Sequence, residues 1–320
     1  MTTDDRLEAA QKEPGQSEPG QEEKVLASLK DMALAIAHKP GDYATAIPEL
    51  TVHRRDHAYD PIPCIYELGL AITLGGKKRV VVGQEVFLNE PGQGLLASVD
   101  LPLASGVLKA SPQEPYLGMM LRLDPRLVLQ VAAGLTLPKP SRSGGYGGLA
   151  QGTLDFDLLH AMERLLALKD EPRLLATLAP LIEQEIIARL LLGPCGQQFM
   201  ALNAGGTTSR QIAQSMAWLK QNFAKAINID ALAEASYMSA STFRQHFKAI
   251  AGVSPLQYLK QVRLQEAKQL MLNEHLDAGA AGLRVGYESV SQFNREYARL
   301  FGQPPLRDIR TTREQLGLEA

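Results

Sequence analysis

The sequence predicts an α+β fold with two domains: a strand-rich N-terminal domain with accompanying helices, then an all-α domain built around two helix-turn-helix units. Three observations carry this. From about Ala46 to Leu123, short apolar runs are punctuated by Gly and Pro, the pattern of a small β-sandwich or barrel. From Thr207 onward, apolar residues recur at helical spacing. Within that helical region a single pattern occurs twice at an offset of 50 residues: Tyr237 and Tyr287, Ser239 and Ser289, Phe243 and Phe293, Gly252 and Gly302, Pro255 and Pro305.

Composition agrees with two globular domains. The 320 residues are 45% hydrophobic and 21% charged, and each half is long enough to bury a core. The net charge of −2 excludes a basic nucleic-acid coat, but the charge is uneven: residues 207–320 hold 14 Lys/Arg against 10 Asp/Glu, and the remainder 19 against 25. A mildly basic region behind an acidic one fits a nucleic-acid reader attached to something else. Cys64 and Cys195 form no CxxC pair and no Cys/His cluster, so neither a disulfide framework nor a zinc site is expected, and no cofactor is expected. No apolar run approaches 18 residues, and the first residues lack a basic start with an apolar stretch. Hence no membrane partner is expected, and the expected location is cytoplasmic.

Taken in order, residues 1–23 are polar with two Pro-Gly pairs and read as a disordered tail. Val25, Leu29, Met32 and Ile36 mark one helix face ending at Pro40-Gly41. Strands are expected over Ile65–Leu74, Arg79–Val82, Glu85–Leu88, Val107–Ala110 and Tyr116–Leu123. Gly83-Gln84 suits a hairpin turn that needs positive φ at its first position. A Pro/Gly-rich loop follows at 138–148. Helices are expected over Leu154–Lys169 and Pro172–Leu192, and Ala204–Thr207 is a linker. The expected domains are therefore a strand-rich domain with accompanying helices over 24–203, for which the resemblance described below implies effector sensing and dimerisation, and a helical domain over 207–320.

Each repeat has the same plan. A short Ala-rich helix (Ile229–Ala235, then Ala278–Leu283) leads into a tight turn, a Ser at the N-cap position and a longer helix closed by Gly and Pro. The longer helix carries Phe243 and Phe247, or Phe293 and Tyr297, four apart for burial. This is the plan in which the second helix enters a DNA major groove. Its base readers should lie near its start and off the aromatic stripe: Ser239, Ser241, Arg244, Gln245 and Lys248, then Ser289, Ser291, Asn294, Arg295 and Arg299. Arg pairs with guanine, and Gln or Asn with adenine, through paired hydrogen bonds.

These stretches, with Met238–Phe243, Ser254–Tyr258, Arg263–Ala267 and Val285–Ser289, resemble the C-terminal domain of the AraC/XylS family of bacterial transcription regulators. The resemblance implies that a helix corresponding to Ser254–Leu272 holds both units against one side of the duplex. Gly75–Arg79, Ser98–Pro102 and Pro115–Leu117 resemble the N-terminal domain of one AraC subgroup, which implies a cupin-like effector-sensing domain. The expected function is sequence-specific DNA binding by a regulator under a small effector, with no enzymatic role. Expected partners are double-stranded DNA, a small-molecule effector, a second copy in a homodimer, and RNA polymerase; such a regulator sits on the nucleoid. Ile72, Leu74, Val81 and Phe87 are the expected pocket walls. Two rivals remain open: a ligand-independent DNA-binding regulator, and a cupin-like enzyme domain fused to a DNA reader.

Other groupings read as structural. His53 and His57 lead into strands and are expected at the surface, not on a metal. Lys77-Lys78-Arg79 is expected in a solvated turn. Gly144–Gly148 lacks the Lys-Ser/Thr ending of a phosphate loop. Pro194-Cys195 is followed by Gly196, with no His to activate the thiol.

Overall fold

The computed structural model describes residues 20–136, 147–194, 196–203 and 208–316. The expected linker at Ala204–Thr207, most of the tail and most of the 138–148 loop lie outside them. Helix α1 (Gln21–Ile36) begins inside the expected tail. Glu22 and Glu23 occupy its first turn, where carboxylates complement the helix dipole.

The N-terminal domain contains β1 (Gly41–Ala44), β2 (Leu50–Arg55), β3 (Tyr59–Tyr66), β4 (Gly69–Gly75), β5 (Lys77–Val82), β6 (Glu85–Asn89), β7 (Gln93–Ala97), β8 (Leu101–Lys109) and β9 (Tyr116–Arg122). Helix α2 (Pro125–Ala133) and β10 (Leu149–Thr153) follow. Six strands form one antiparallel sheet in the order β1-β2-β9-β4-β7-β10, and four form the other as β3-β8-β5-β6. The single strand expected over Ile65–Leu74 is two strands in different sheets. The break falls at Leu68, whose amide donates to the Asp100 carboxylate at 3.0 Å instead of joining a ladder. Gly69 then lets the chain enter the larger sheet, because a Cβ there would collide with the Leu121 carbonyl oxygen.

Strand alternation sorts the two faces of the larger sheet. Leu50, Val52, Leu70, Ile72, Leu74, Leu96, Met119 and Leu121 are buried in one cluster with Leu29 of α1, Met162 of α3 (Phe156–Ala167) and Ile186 of α4 (Pro172–Leu192). A helical layer therefore covers this face. Each such side chain contributes about 1.5–3 kcal/mol on burial. Leu95 and Ala97 point the other way, toward Val80, Leu101 and Leu103 of the smaller sheet.

The remaining helices are α5 (Gly196–Asn203), α6 (Thr208–Asn222), α7 (Ile229–Ala235), α8 (Ala240–Ala251), α9 (Pro255–Asn273), α10 (Ala278–Arg284), α11 (Val290–Phe301) and α12 (Pro305–Leu316). The cluster between the sheets does not stop at the sandwich. It continues into Phe243, Phe247 and Ile250 of α8 and Tyr258 of α9. Polar contacts reinforce this joint. The Tyr258 hydroxyl donates to the Asp100 carbonyl at 3.2 Å, the Gly148 amide to the Ile250 carbonyl at 3.0 Å, and the Gln265 amide group to the Pro63 carbonyl at 2.7 Å. The Lys220 ammonium of α6 lies 2.8 Å from both Glu67 and Asp100.

Burial opposes ionisation of Glu67, but Lys220 and Arg122 outweigh it and hold its carboxyl below the usual range. Burial likewise opposes the Lys220 charge, and Asp100 with Glu67 raises its pKa. The depressed acid stabilises fully above about pH 4.3 and loses its contribution as pH falls through its folded value. The raised base stabilises fully below about pH 10.4 and loses its contribution as pH rises through its folded value. Full-length protein is therefore expected to lose joint stability on acidification below about pH 4. Lys220→Met should lower stability at neutral pH and flatten that acid limb in urea unfolding. Parallel curves for the two proteins would deny the joint this electrostatic role.

Candidate nucleic-acid interface

Each unit is assembled by local capping. The Ser239 hydroxyl accepts the Thr242 amide at 3.3 Å, and the Ser289 hydroxyl accepts the Gln292 amide at 3.3 Å. Gly252 and Gly302 end α8 and α11 in the left-handed region, with φ of 73° and 79°. Phe243 and Phe247 pack with ring centroids 5.7 Å apart, and Phe293 and Tyr297 with 5.6 Å. The helical period then turns the intervening positions outward.

The two copies do not keep one offset. The turn bonds are Met238 amide to Ala233 carbonyl and Tyr287 amide to Gly282 carbonyl, each 3.0 Å. Up to this point the copies are 49 residues apart, and from the capping serines onward 50. Tyr287 therefore corresponds to Met238, not to Tyr237 as the constant offset implied. Tyr237 takes the left-handed place that Gly286 fills in the second copy, with φ of 56° and 90°. Tyr237 is 91% exposed, whereas Tyr287 is buried and donates to Glu296 at 2.9 Å.

Helix α9 mounts both units. Tyr258 meets Phe247 edge-on at 5.4 Å in the first. In the second, Lys260 pairs with Glu296 at 2.6 Å and Lys268 with Asp308 at 2.8 Å. Burial opposes the Glu296 charge, but Lys260, Tyr287 and Gln292 hold its carboxyl below the usual range.

The structure leaves Ser241, Arg244, Gln245 and Lys248 exposed on α8, and Ser291, Arg295 and Arg299 at least partly exposed on α11. Arg244 is ion-paired with Asp230 of α7. Arg295 and Arg299 make no ion pair among the described residues. Asn294 departs from the expected set: it is half-buried, and its Oδ1 is shut away without a hydrogen-bond partner. Ser239 and Ser289 are exposed but act as caps.

The four expected pocket walls do not share a wall. Ile72 and Leu74 face the helical layer. Val81 lines a crevice of about 220 Å³ between the smaller sheet and the C-terminal helices, with Pro63, Pro102, Gln261, Gln265 and Leu300. Phe87 alone packs against the cluster between the sheets. Apolar character marked these positions, but strand phase decides which face each one serves. His53 Nδ1 lies 2.6 Å from the Asp42 carboxylate, and no group of three potential metal ligands occurs among the described residues. No helix among them is long and apolar enough to cross a membrane.

Known proteins share both halves of this architecture. The family described as AraC-type transcriptional regulator N-terminus matches residues 46–198, and that described as Helix-turn-helix domain matches residues 232–311. The transcriptional activator RhaS of Escherichia coli O139:H28 is 23% identical over 269 residues, covering 84% of this chain and 91% of RhaS. ToxT of Vibrio cholerae, solved with an unsaturated fatty acid bound, superposes with a TM-score of 0.60 at 9% identity, covering 81% of this chain and 94% of that one. ToxT from strain O395, bound to a naphthalenyl butenoic acid, superposes with a TM-score of 0.58 at 9% identity, covering 81% and 97%. The likeness to both ToxT structures is one of fold.

The capping serines yield a direct expectation. Ser239→Ala and Ser289→Ala should each cost about 0.5–2 kcal/mol of stability, and the corresponding Gly variants only a few tenths. Chemical unfolding of the four variants measures this.

Proposed function

We propose that this chain, which belongs to the AraC-type DNA-binding transcription regulators, reads two successive major grooves with α8 and α11 under the control of a small effector in its β-sandwich. One observation carries the reading: two capped helices, each with an aromatic face buried and a polar face exposed, are fixed to one connecting helix. Arg295 and Gln245 are the proposed base readers, and Lys248 and Arg299 the phosphate contacts. Arg244 joins the readers once DNA draws it from Asp230; the pair is exposed and so worth about 0–1 kcal/mol.

An effector acts only by binding two states unequally. The sandwich touches the first unit directly, through Gly148 and Ile250, so a changed sandwich reaches α8 without an intermediary. The chain shares its fold with ToxT, which has been solved with an unsaturated fatty acid bound, and this supports a small-molecule effector here. We also assign a homodimer contact to α4, where Leu174, Leu181 and Leu192 remain exposed. Leu181→Glu should then shift full-length protein toward monomer in sedimentation. On chromosomal DNA in the cytoplasm, such a dimer is placed to meet RNA polymerase.

Arg295→Ala is expected to cost about 1–3 kcal/mol at the cognate site and to relax preference at particular base pairs. Lys248→Ala should instead weaken cognate and random DNA about equally and reduce the salt slope by about 1. Equal loss on both DNAs after Arg295→Ala would remove Arg295 as a base reader.

A further inference from the structure

Lys78 does not sit in a solvated turn. It shares a face of β5 with Val80 and Val82, the side turned toward the sandwich interior. Its ammonium lies 5.1 Å from the centre of the Tyr66 ring and 5.4 Å from that of Tyr116. Its chain neighbours are neutralised: Lys77 pairs with Glu90 and Arg79 with Asp60. Lys78 itself makes no ion pair among the described residues. Burial opposes its charge, while Tyr116 and Tyr66, the latter also by a hydrogen bond, raise its pKa.

The surroundings are built to hold this arrangement. Gly76, at φ of 72°, admits Tyr116, because a Cβ there would lie 2.8 Å from the Tyr116 Cα. Gly118 leaves room for the Tyr116 hydroxyl, which would collide with any Cβ at that position. The Tyr66 hydroxyl lies 3.4 Å from Ser105 Oγ. A cation turned inward without a counter-charge is costly, and a bound anion relieves that cost.

We propose that Lys78, with Tyr66 and Tyr116, forms an anion subsite inside the sandwich that takes a small organic monocarboxylate. One positive charge calls for one negative charge. The two carboxylate oxygens match an ammonium and a phenol as donors, and the aromatic rings take an apolar tail. This subsite deepens the effector reading and rests on it. It also lies close to the DNA-reading domain: Cys64 and Tyr66 pack inward from β3, and the carbonyl of Pro63, just before Cys64, accepts from Gln265 of α9 at 2.7 Å.

The test uses full-length protein and calorimetric titration with benzoate and octanoate, their neutral amides, and inorganic phosphate. Both acids should bind, with the amides and phosphate about tenfold weaker or worse. Lys78→Met should lose about tenfold or more in acid affinity, and Lys78→Arg should retain most of it. If Lys78→Met does not fold, Tyr66→Phe and Tyr116→Phe provide the reading, each expected to weaken acid binding severalfold. The proposal fails if neither acid binds, if amide or phosphate matches acid, or if the foldable variants bind acid as wild type does. DNA affinity measured with and without bound acid separates the two claims. Acid binding through Lys78 that leaves DNA affinity unchanged upholds the subsite and removes the effector role.

Discussion

The smaller sheet packs directly on the first helix-turn-helix unit, and the arrangement of the chain depends on this contact. Val80, Val82, Leu101 and Leu103 share one apolar cluster with Phe247, Ile250 and Tyr258. Gly83 and Gly252 face each other so closely that a Cβ on Gly83 would sit 3.0 Å from the Gly252 carbonyl oxygen. Both ends of the contact are turn glycines with positive φ, so the tip of the β5–β6 hairpin is seated on the C-terminal end of α8. Asp100 closes the joint from the side, with its carboxylate on Lys220 and the Leu68 amide, and its carbonyl on Tyr258. One apolar cluster has members on both sides of the boundary expected at 203–207.

The second unit is held differently. Phe293, Tyr297 and Met271 belong to a separate cluster, tied to α9 by Lys260, Arg263 and Lys268. The sandwich therefore meets α8 through shared packing, and α11 through α9 and through its own approach to β3. The one-residue change of offset between the copies comes from Glu288, which has no counterpart between Met238 and Ser239. In the second copy Tyr287 is drawn inward to Glu296 and Arg263. In the first, the equivalent Met238 packs against the shared cluster and Tyr237 is left at the surface.

Much of this was legible in the residues. The doubled Ser, Phe and Gly pattern located both recognition helices and their caps, because capping and i, i+4 burial are local rules. Pro172–Leu192 was legible as one helix from the spacing of its apolar residues. The break at Leu68 was not, since it depends on Asp100, 32 residues away. Nor was the facing of Ile72, Leu74 and Val81, because an all-apolar strand shows no alternation from which to read its phase. Lys78 looked like one of three basic residues in a turn. Its separate role lies in the acids that its neighbours find and it does not.

The shared core carries the central claim, and equilibrium unfolding tests it most directly. Trp218 is the single tryptophan and lies on α6, whose Ile212, Met216 and Leu219 enter the shared cluster. Cys64 lies on β3 and reports the sandwich by its thiol reactivity in a Cys195→Ser chain. Urea unfolding followed by Trp218 fluorescence and by Cys64 labelling should give one coincident midpoint, because neither domain can open without exposing the other's core. Two separated midpoints would contradict the account and leave the sandwich and the first helix-turn-helix unit as independent bodies.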